Sequence, residues 1–203
     1  MSTGRTALEG IRVLDVAQVM AGPFCAMQLC DMGADVIKVE PPGGDPTRQM
    51  GARGGSDSAG FAALNRGKRA IVLDLKSAAG RRAFERLAAG ADILIENFRP
   101  GVMRQLGLDY TTLSATNPRL IYASISGYGQ TGPDAAKGGF DLIAQGVSGV
   151  MSVTGQPGAA PLKSGVPLTD LGAGLFALAA ILAALHHRAR TGRGQHIDTS
   201  LLE

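Results

Sequence analysis

An α/β fold on a parallel sheet is what this sequence predicts, and three observations predict it. Short apolar runs rich in valine, isoleucine and leucine alternate along the chain with segments of helical spacing, the pattern of strands joined by crossover helices. With 203 residues, 45% hydrophobic and 18% charged, the composition is globular rather than disordered and sufficient for one sizeable core. Twenty-nine glycines with only 4% aromatic residues point to many turns and close backbone approaches.

In order, residues 11–16 read as a buried strand and 22–30 as a helix with Pro23 in its first turn. Residues 36–40 form a second strand. A connection rich in proline, glycine and serine then runs over roughly 41–60, long enough to be functional or mobile. Residues 70–75 are the next strand, and Ser77 caps a helix that ends at Gly90. A strand over 92–96 leads into a turn over 97–101. Two short helices follow, the second capped by Asp109, and then a strand over 120–125. After a glycine-rich loop, a helix covers 141–150. A second loop leads to a long apolar helix over 171–185, expected to be buried on most sides, and to a last strand over 195–200. This is a Rossmann-like sheet with helices on both faces. Ligands of such sheets sit at the carboxyl ends of the strands, which singles out 17–20, 73–76, 96–99 and 126–129.

Asp170 precedes the fifteen uncharged residues 171–185, which close on His186, His187, Arg188 and Arg190. An acid there is read in two ways. It is a helix cap with no further role, or it is a carboxylate kept ionised beside backbone N–H groups and available for chemistry.

Several function classes are set aside. The net charge of +3 is spread along the chain without an aromatic-studded basic stripe, so nucleic-acid binding is not expected. The 171–185 run is shorter than the roughly 20 residues of a membrane span, and no secretory leader is visible. Cys25 and Cys30 read as small core thiols of a reducing, cytoplasmic setting. His186, His187 and His196 lack matching acids or thiols, so no metal site is expected. Gly127, Gly129 and Gly132 match the dinucleotide pattern, but residues 133–139 after them are turn material rather than a helix, so the pyrophosphate would lack its helix N-terminus.

Taken together, the segments 14–23 (LDVAQVMAGP), 33–40 (GADVIKVE), 65–70 (NRGKRA), 73–76 (LDLK), 96–101 (ENFRPG), 139–145 (GFDLIAQ) and the stretch from Asp170 to 191–195 (TGRGQ) resemble a class III CoA-transferase. This is the family of formyl-CoA transferase, carnitine CoA-transferase and 2-methylacyl-CoA racemase. The likeness runs in order from about residue 8 to the end. It implies a CoA-transferase large (N-terminal) domain over 8–203, behind a disordered leader over 1–7.

The resemblance places Asp170 on the catalytic aspartate. Coenzyme A then enters as a substrate, with no tightly bound cofactor, and the partners are an acyl-CoA and a carboxylic acid acceptor. The carboxylate attacks the thioester, giving an aspartyl–acyl anhydride and then an aspartyl-CoA thioester. An aspartate near its reference pKa of roughly 3.9 needs no general base, and backbone N–H groups near Gly172–Gly174 are expected to meet the oxyanion. CoA is expected against Gln18, Val19, Met20, Ala21, Leu73, Lys76, Asn97, Phe98, Arg99, Lys137 and Phe140, with Lys76, Arg99 and Arg104 at its phosphates.

Departures shape the expectation. Phe140 stands where racemases of the family carry histidine, which favours transfer over α-proton exchange, since that exchange needs an acid and a base on opposite faces. Met20 and Pro41 replace the glutamine and arginine of formyl-CoA transferases, so a larger or more apolar acyl group is expected. Family members are implied to be about twice this length, and to pair as interlocked homodimers that a half-length chain cannot complete. The alternatives are an acyl-CoA racemase or isomerase, and a non-catalytic CoA-binding fragment that needs a C-terminal half.

Overall fold

The computed structural model describes residues 6–51 and 57–202. Its strands are β1 Arg12–Asp15, β2 Asp35–Glu40, β3 Arg69–Val72, β4 Ile93–Glu96, β5 Ile121–Ser126 and β6 His196–Ser200. They form one sheet in the order β3-β2-β1-β4-β5-β6, and every pairing is parallel. The expected fold class is therefore the observed one. Val13 of β1 lies between Val36 of β2 and Ile93 of β4, so the strand order reverses about β1. In an open parallel sheet that reversal leaves a crevice at the carboxyl ends of the strands.

The helices are α1 Ala21–Asp31, α2 Ala59–Asn65, α3 Ala78–Ala89, α4 Val102–Gln105, α5 Tyr110–Thr116, α6 Asp141–Val147 and α7 Leu168–Thr191. Period-two alternation along the strands feeds two cores, one on each face. Ile93 and Ile95 of β4 with Ile121, Ala123 and Ile125 of β5 pack under α1 and α7, against Cys25, Leu29, Ala177 and Ile181. Leu94 and Tyr122 point the other way, to Phe84 and Ala88 of α3 and Leu113 of α5. Two expected caps form: Ser77 Oγ accepts from Gly80 N at 3.0 Å and Asp109 Oδ1 from Thr112 N at 3.2 Å.

Four expectations need correction. The strand expected over 70–75 stops at Val72, because a turn in which Ser77 N donates to Asp74 O at 3.0 Å bends the chain into α3. The connection over 41–60 carries structure on both sides of 52–56, which lie outside the described residues. Asp45 caps a 3-10 turn, Pro46–Gln49, and Ser58 Oγ caps α2, a helix not foreseen. The helix expected over 141–150 ends at Val147, where Gly149 at φ 81° breaks it before a 3-10 turn, Val150–Val153.

The apolar helix, finally, is longer than expected and less buried. α7 spans 24 residues and buries Ala173, Gly174, Ala177, Leu178, Ile181 and Ala184. Leu175 and Phe176 on its outer side are 49% and 66% exposed. Among the described residues it is the one helix long and apolar enough to cross a membrane by length and composition. Its small-residue face is the cover of the sheet, and Arg188 at its far end pairs with Asp92 at 2.9 Å. Of the leader expected over 1–7, residues 1–5 lie outside the described residues, while Thr6 O accepts from Glu9 N at 3.2 Å.

Candidate active site

The crevice at the strand ends is walled by α1 and by the start of α7, and Asp170 stands where they meet. The N-cap position of α7 is Pro167, so Asp170 lies inside the first turn and does not cap the helix. No donor among the described residues bonds its carboxylate. Its neighbour Thr169 is held instead, through N and Oγ1, both at 2.9 Å from Asp141 Oδ1. Asp141 Oδ2 accepts from Gln145 Nε2 at 2.7 Å, and Gln145 Oε1 accepts from Ser164 N at 2.8 Å. Gln145 is fully buried, so this chain of hydrogen bonds ties the loop before α7 to α6.

Burial first, and the nearby Asp141 charge second, push the Asp170 carboxyl up to about 6. The expectation of a near-reference value is corrected by this environment. At neutral pH the group is still mostly ionised.

Asp170 shares a cavity of about 250 Å³ with Gln18, Val19, Met20, Ala21, Asn97, Phe98, Ser126, Gly127, Gly139 and Phe140. The first N–H groups of α1 have no intrahelical acceptor, and Met20 and Ala21 at that end of the helix line this cavity. The Gly172–Gly174 N–H groups do not fit the role expected of them. The α7 ladder begins with Leu171 N donating to Pro167 O at 3.0 Å, and its following N–H groups are spent within the helix. Glycine at 174 has a different use. A Cβ there would lie 2.8 Å from Ala21 O and 2.9 Å from Phe24 Cδ1, so its absence lets α7 press Asp170 against α1. Gly127 and Gly139 likewise touch backbone to backbone, since a Cβ on Gly139 would lie 2.7 Å from Gly127 Cα.

Across the wall formed by Gln18 and Phe98 lies a cavity of about 650 Å³, lined by Val39, Pro41, Leu73, Lys76, Arg81 and Leu106 among others. That volume is within the range of small-molecule and cofactor sites. Its rim is braced by Arg48, which pairs with both Glu40 oxygens at 2.6 and 2.7 Å, reaches Asp57 at 2.8 Å and stacks on Phe61. Arg99 and Lys137 line a third pocket of about 240 Å³ that shares Asn97, Phe98 and Phe140 with the Asp170 cavity. Arg104 is set apart. It joins Arg99 only in a fourth, smaller pocket over Glu96 and His196. The basic residues expected together at phosphates are thus distributed over separate pockets along the crevice.

Two lysines beneath the site were missed in the sequence. Lys38 is buried and donates to Ala17 O at 3.0 Å while pairing with Asp45 at 2.9 Å. Lys68 meets Asp15 at 2.7 Å. These four charges balance inside the protein, directly beneath the 17–21 loop. Glu96, buried at the end of β4, accepts from Phe98 N at 2.9 Å, and burial pushes its carboxyl up to about 7. Ser126 is 6% exposed, and its hydroxyl has no partner among the described residues. Glu96 and Ser126 fall in the strand-end segments 96–99 and 126–129 already singled out, whereas for Lys38 and Lys68 the sequence offers only their place in the segments 33–40 and 65–70. Among the described residues no three histidine, cysteine, aspartate or glutamate side chains group as a metal site.

Comparison with known proteins gives a consistent family. Residues 8–203 match the model of CoA-transferase family III. A succinate–glutarate CoA-transferase of Agrobacterium fabrum is 50% identical, over 100% of this chain and 53% of its own length. A succinyl-CoA:glutarate CoA-transferase of Mus musculus is 47% identical, over 96% of this chain and 45% of its own. The crystal structure of a CAIB/BAIF family protein from Brucella suis superposes with a TM-score of 0.95 at 48% identity, covering 98% of this chain and 54% of that one. The chain spans about half the length of the curated relatives it matches.

Proposed function

Since the chain belongs to CoA-transferase family III, we propose that residues 8–203 are the large domain of an enzyme that moves CoA from an acyl-CoA to a carboxylic acid, with Asp170 as nucleophile. One observation carries the reading. The Asp170 carboxylate, half-buried and without a hydrogen-bond donor among the described residues, shares a small cavity with the N-terminus of α1, next to a cavity of about 650 Å³, a volume in the range of cofactor sites.

In this reading a carboxylate oxygen of Asp170 attacks the thioester carbonyl carbon. The C–S bond breaks, CoA leaves as thiolate and an aspartyl–acyl anhydride remains. The thiolate then attacks the aspartyl carbonyl, releasing the acyl group as its carboxylate and leaving aspartyl-CoA. An acceptor carboxylate attacks that thioester, forming a second anhydride and freeing the thiolate again. Attack of the thiolate on the acceptor's carbonyl yields the new acyl-CoA and restores Asp170. Each attack places negative charge on a carbonyl oxygen, and this reading assigns its stabilisation to the N–H groups of Val19 to Ala21 on the wall of the same cavity. Leu73, Lys76 and Phe98 hold the nucleotide end of CoA in the large cavity, with Arg99 and Lys137 flanking it.

Relatives named for succinate and glutarate support short dicarboxylic acids as the acyl groups, in place of a large apolar one. The cavity of about 250 Å³ has room for such a chain. A cytosolic setting belongs to the same proposal and suits the two free thiols, Cys25 and Cys30.

The test is intact-protein mass spectrometry after incubation with succinyl-CoA, glutaryl-CoA and an apolar acyl-CoA, with hydroxylamine or borohydride trapping. Wild-type protein is expected to gain an adduct that Asp170→Ala lacks. An adduct retained in Asp170→Ala would assign the nucleophile elsewhere. CoA binding with no adduct in either protein would make the chain a binding half instead.

A further inference from the structure

Val19 is the only residue besides glycine, among the described residues, with positive φ: 68°. That is an outlier conformation for a β-branched side chain, and it persists only where the surroundings enforce it. The Val19 side chain is 38% exposed on the wall of the Asp170 cavity, so its own burial does not enforce it. Its neighbours do. Asn97 Oδ1 accepts from Gln18 N at 2.8 Å, and Asn97 Nδ2 donates to Gln18 O at 2.7 Å. Ala17 O is held by the buried Lys38 ammonium at 3.0 Å, and Met20 O by Phe24 N at 2.8 Å.

The Asn97 pair differs from the other ties in what it controls. Gln18 O and Val19 N belong to one planar trans peptide. Fixing the oxygen fixes the rotation of that plane, one of the two sides of the φ dihedral of Val19, and turns the Val19 N–H away from Asn97. The same two bonds occupy the side-chain oxygen and one of the amide hydrogens. Asn97 is itself pinned by the turn it sits in, where Glu96 accepts from Phe98 N.

We propose that Asn97 is a positioning residue: its side-chain amide locks the Gln18–Val19 peptide in a strained orientation and thereby sets the backbone of the loop that shares the Asp170 cavity. It acts through the loop rather than by touching CoA. The role in the reaction rests on the Asp170 reading above, whereas the lock itself is a property of the loop.

The experiment compares wild type, Asn97→Ala, Val19→Gly and the double variant, all in the 203-residue chain. Hydrogen exchange of the Gln18 amide, followed by NMR, reads the lock. Adduct formation at Asp170 and the Kd for CoA read its consequence. In Asn97→Ala, Gln18 exchange is expected to speed by about tenfold or more while Leu14 in β1 is unchanged, as for a local opening. Adduct formation slows by about ten- to a hundredfold, the scale on which a misplaced group slows a reaction, and CoA affinity stays within about threefold. Glycine takes positive φ without strain, so Val19→Gly in the Asn97→Ala background restores most of the rate relative to Val19→Gly alone. Unchanged Gln18 exchange overturns the lock. Affinity and rate falling together, with no rescue by Val19→Gly, make Asn97 a CoA contact and overturn the positioning role. Wild-type protein that forms no adduct sinks the Asp170 reading and with it any role in that reaction, while the exchange arm still decides whether the lock exists.

Discussion

The two cavities on either side of Gln18 and Phe98 are built by opposite means. The large one is shaped by side chains: Leu73, Pro41, Val39 and Leu106 make its walls, with Lys76 and Arg81 at its edge. The small one is shaped by backbone: the start of α1, the touching Gly127 and Gly139, and a first turn of α7 brought close by Gly174. Side-chain walls tolerate exchange of similar residues, because rotamers adjust. Backbone walls move only as a unit. The first suits holding a ligand, and the second suits fixing reacting atoms to within a fraction of an ångström.

Breaking the small cavity should cost most. Asp170→Asn is expected to abolish the acyl adduct while raising thermal stability at pH 8. The carboxyl is protonated up to about 6 when folded, against roughly 3.9 in an unfolded chain. The folded state therefore loses stability as pH rises from about 4 to 6, and that loss persists above. Asn removes it, so the Tm difference should be clear at pH 8 and absent at pH 3.5. A variant no more stable at pH 8 than at pH 3.5, each relative to wild type, would contradict the burial argument.

Gly174→Ala comes next. The added methyl meets Ala21 O and Phe24, and overpacking of this kind costs roughly 1–3 kcal/mol. Urea unfolding should show that loss, together with slower adduct formation. A smaller effect is expected in the pH profile of adduct formation, which should rise through about pH 6 and level off above it. Asp141→Asn, by removing the repelling charge, should move the midpoint down. The mildest change is Lys76→Ala at the edge of the large cavity. It should weaken CoA by only a few-fold, and less still at high salt, where an exposed charge is screened. Equal losses from Lys76→Ala and Gly174→Ala would erase the contrast between the two cavities.

The same contrast explains what was legible in the sequence. Strands such as Ile93–Glu96 and the caps Ser77 and Asp109 are written locally, in apolar runs and in spacing, and they form as expected. Of the residues around Asp170, 18–20, 97–98 and 126–127 were marked by their place at strand ends, while Ala21, Gly139 and Phe140 were reached only through the resemblance. The helix Ala59–Asn65 was not legible, because its cap, Ser58, is one polar residue among the serines and glycines before it. Lys38 and Lys68 look like surface charges until the fold buries them opposite Asp15 and Asp45. The bonds from the Asn97 side-chain amide to a backbone 79 positions away are equally invisible in the sequence. Long-range hydrogen bonds and backbone contacts leave no local trace, and both shape the small cavity.

The contact between Gly127 and Gly139 has a consequence for how this chain can vary. It pinches the loop between them closed at its base, so whatever lies within the ring is insulated from the wall beside Asp170. Changes in length or composition at the tip of that loop are thus cheap for the reaction centre. Neither glycine can gain a side chain without parting two stretches of main chain, and no compensating change at the other can make room. Variation is easiest at the tip of the ring, away from Lys137 and Gly138 on the neighbouring pocket, and forbidden at its clasp, which makes that tip the natural place to graft a tag or a probe.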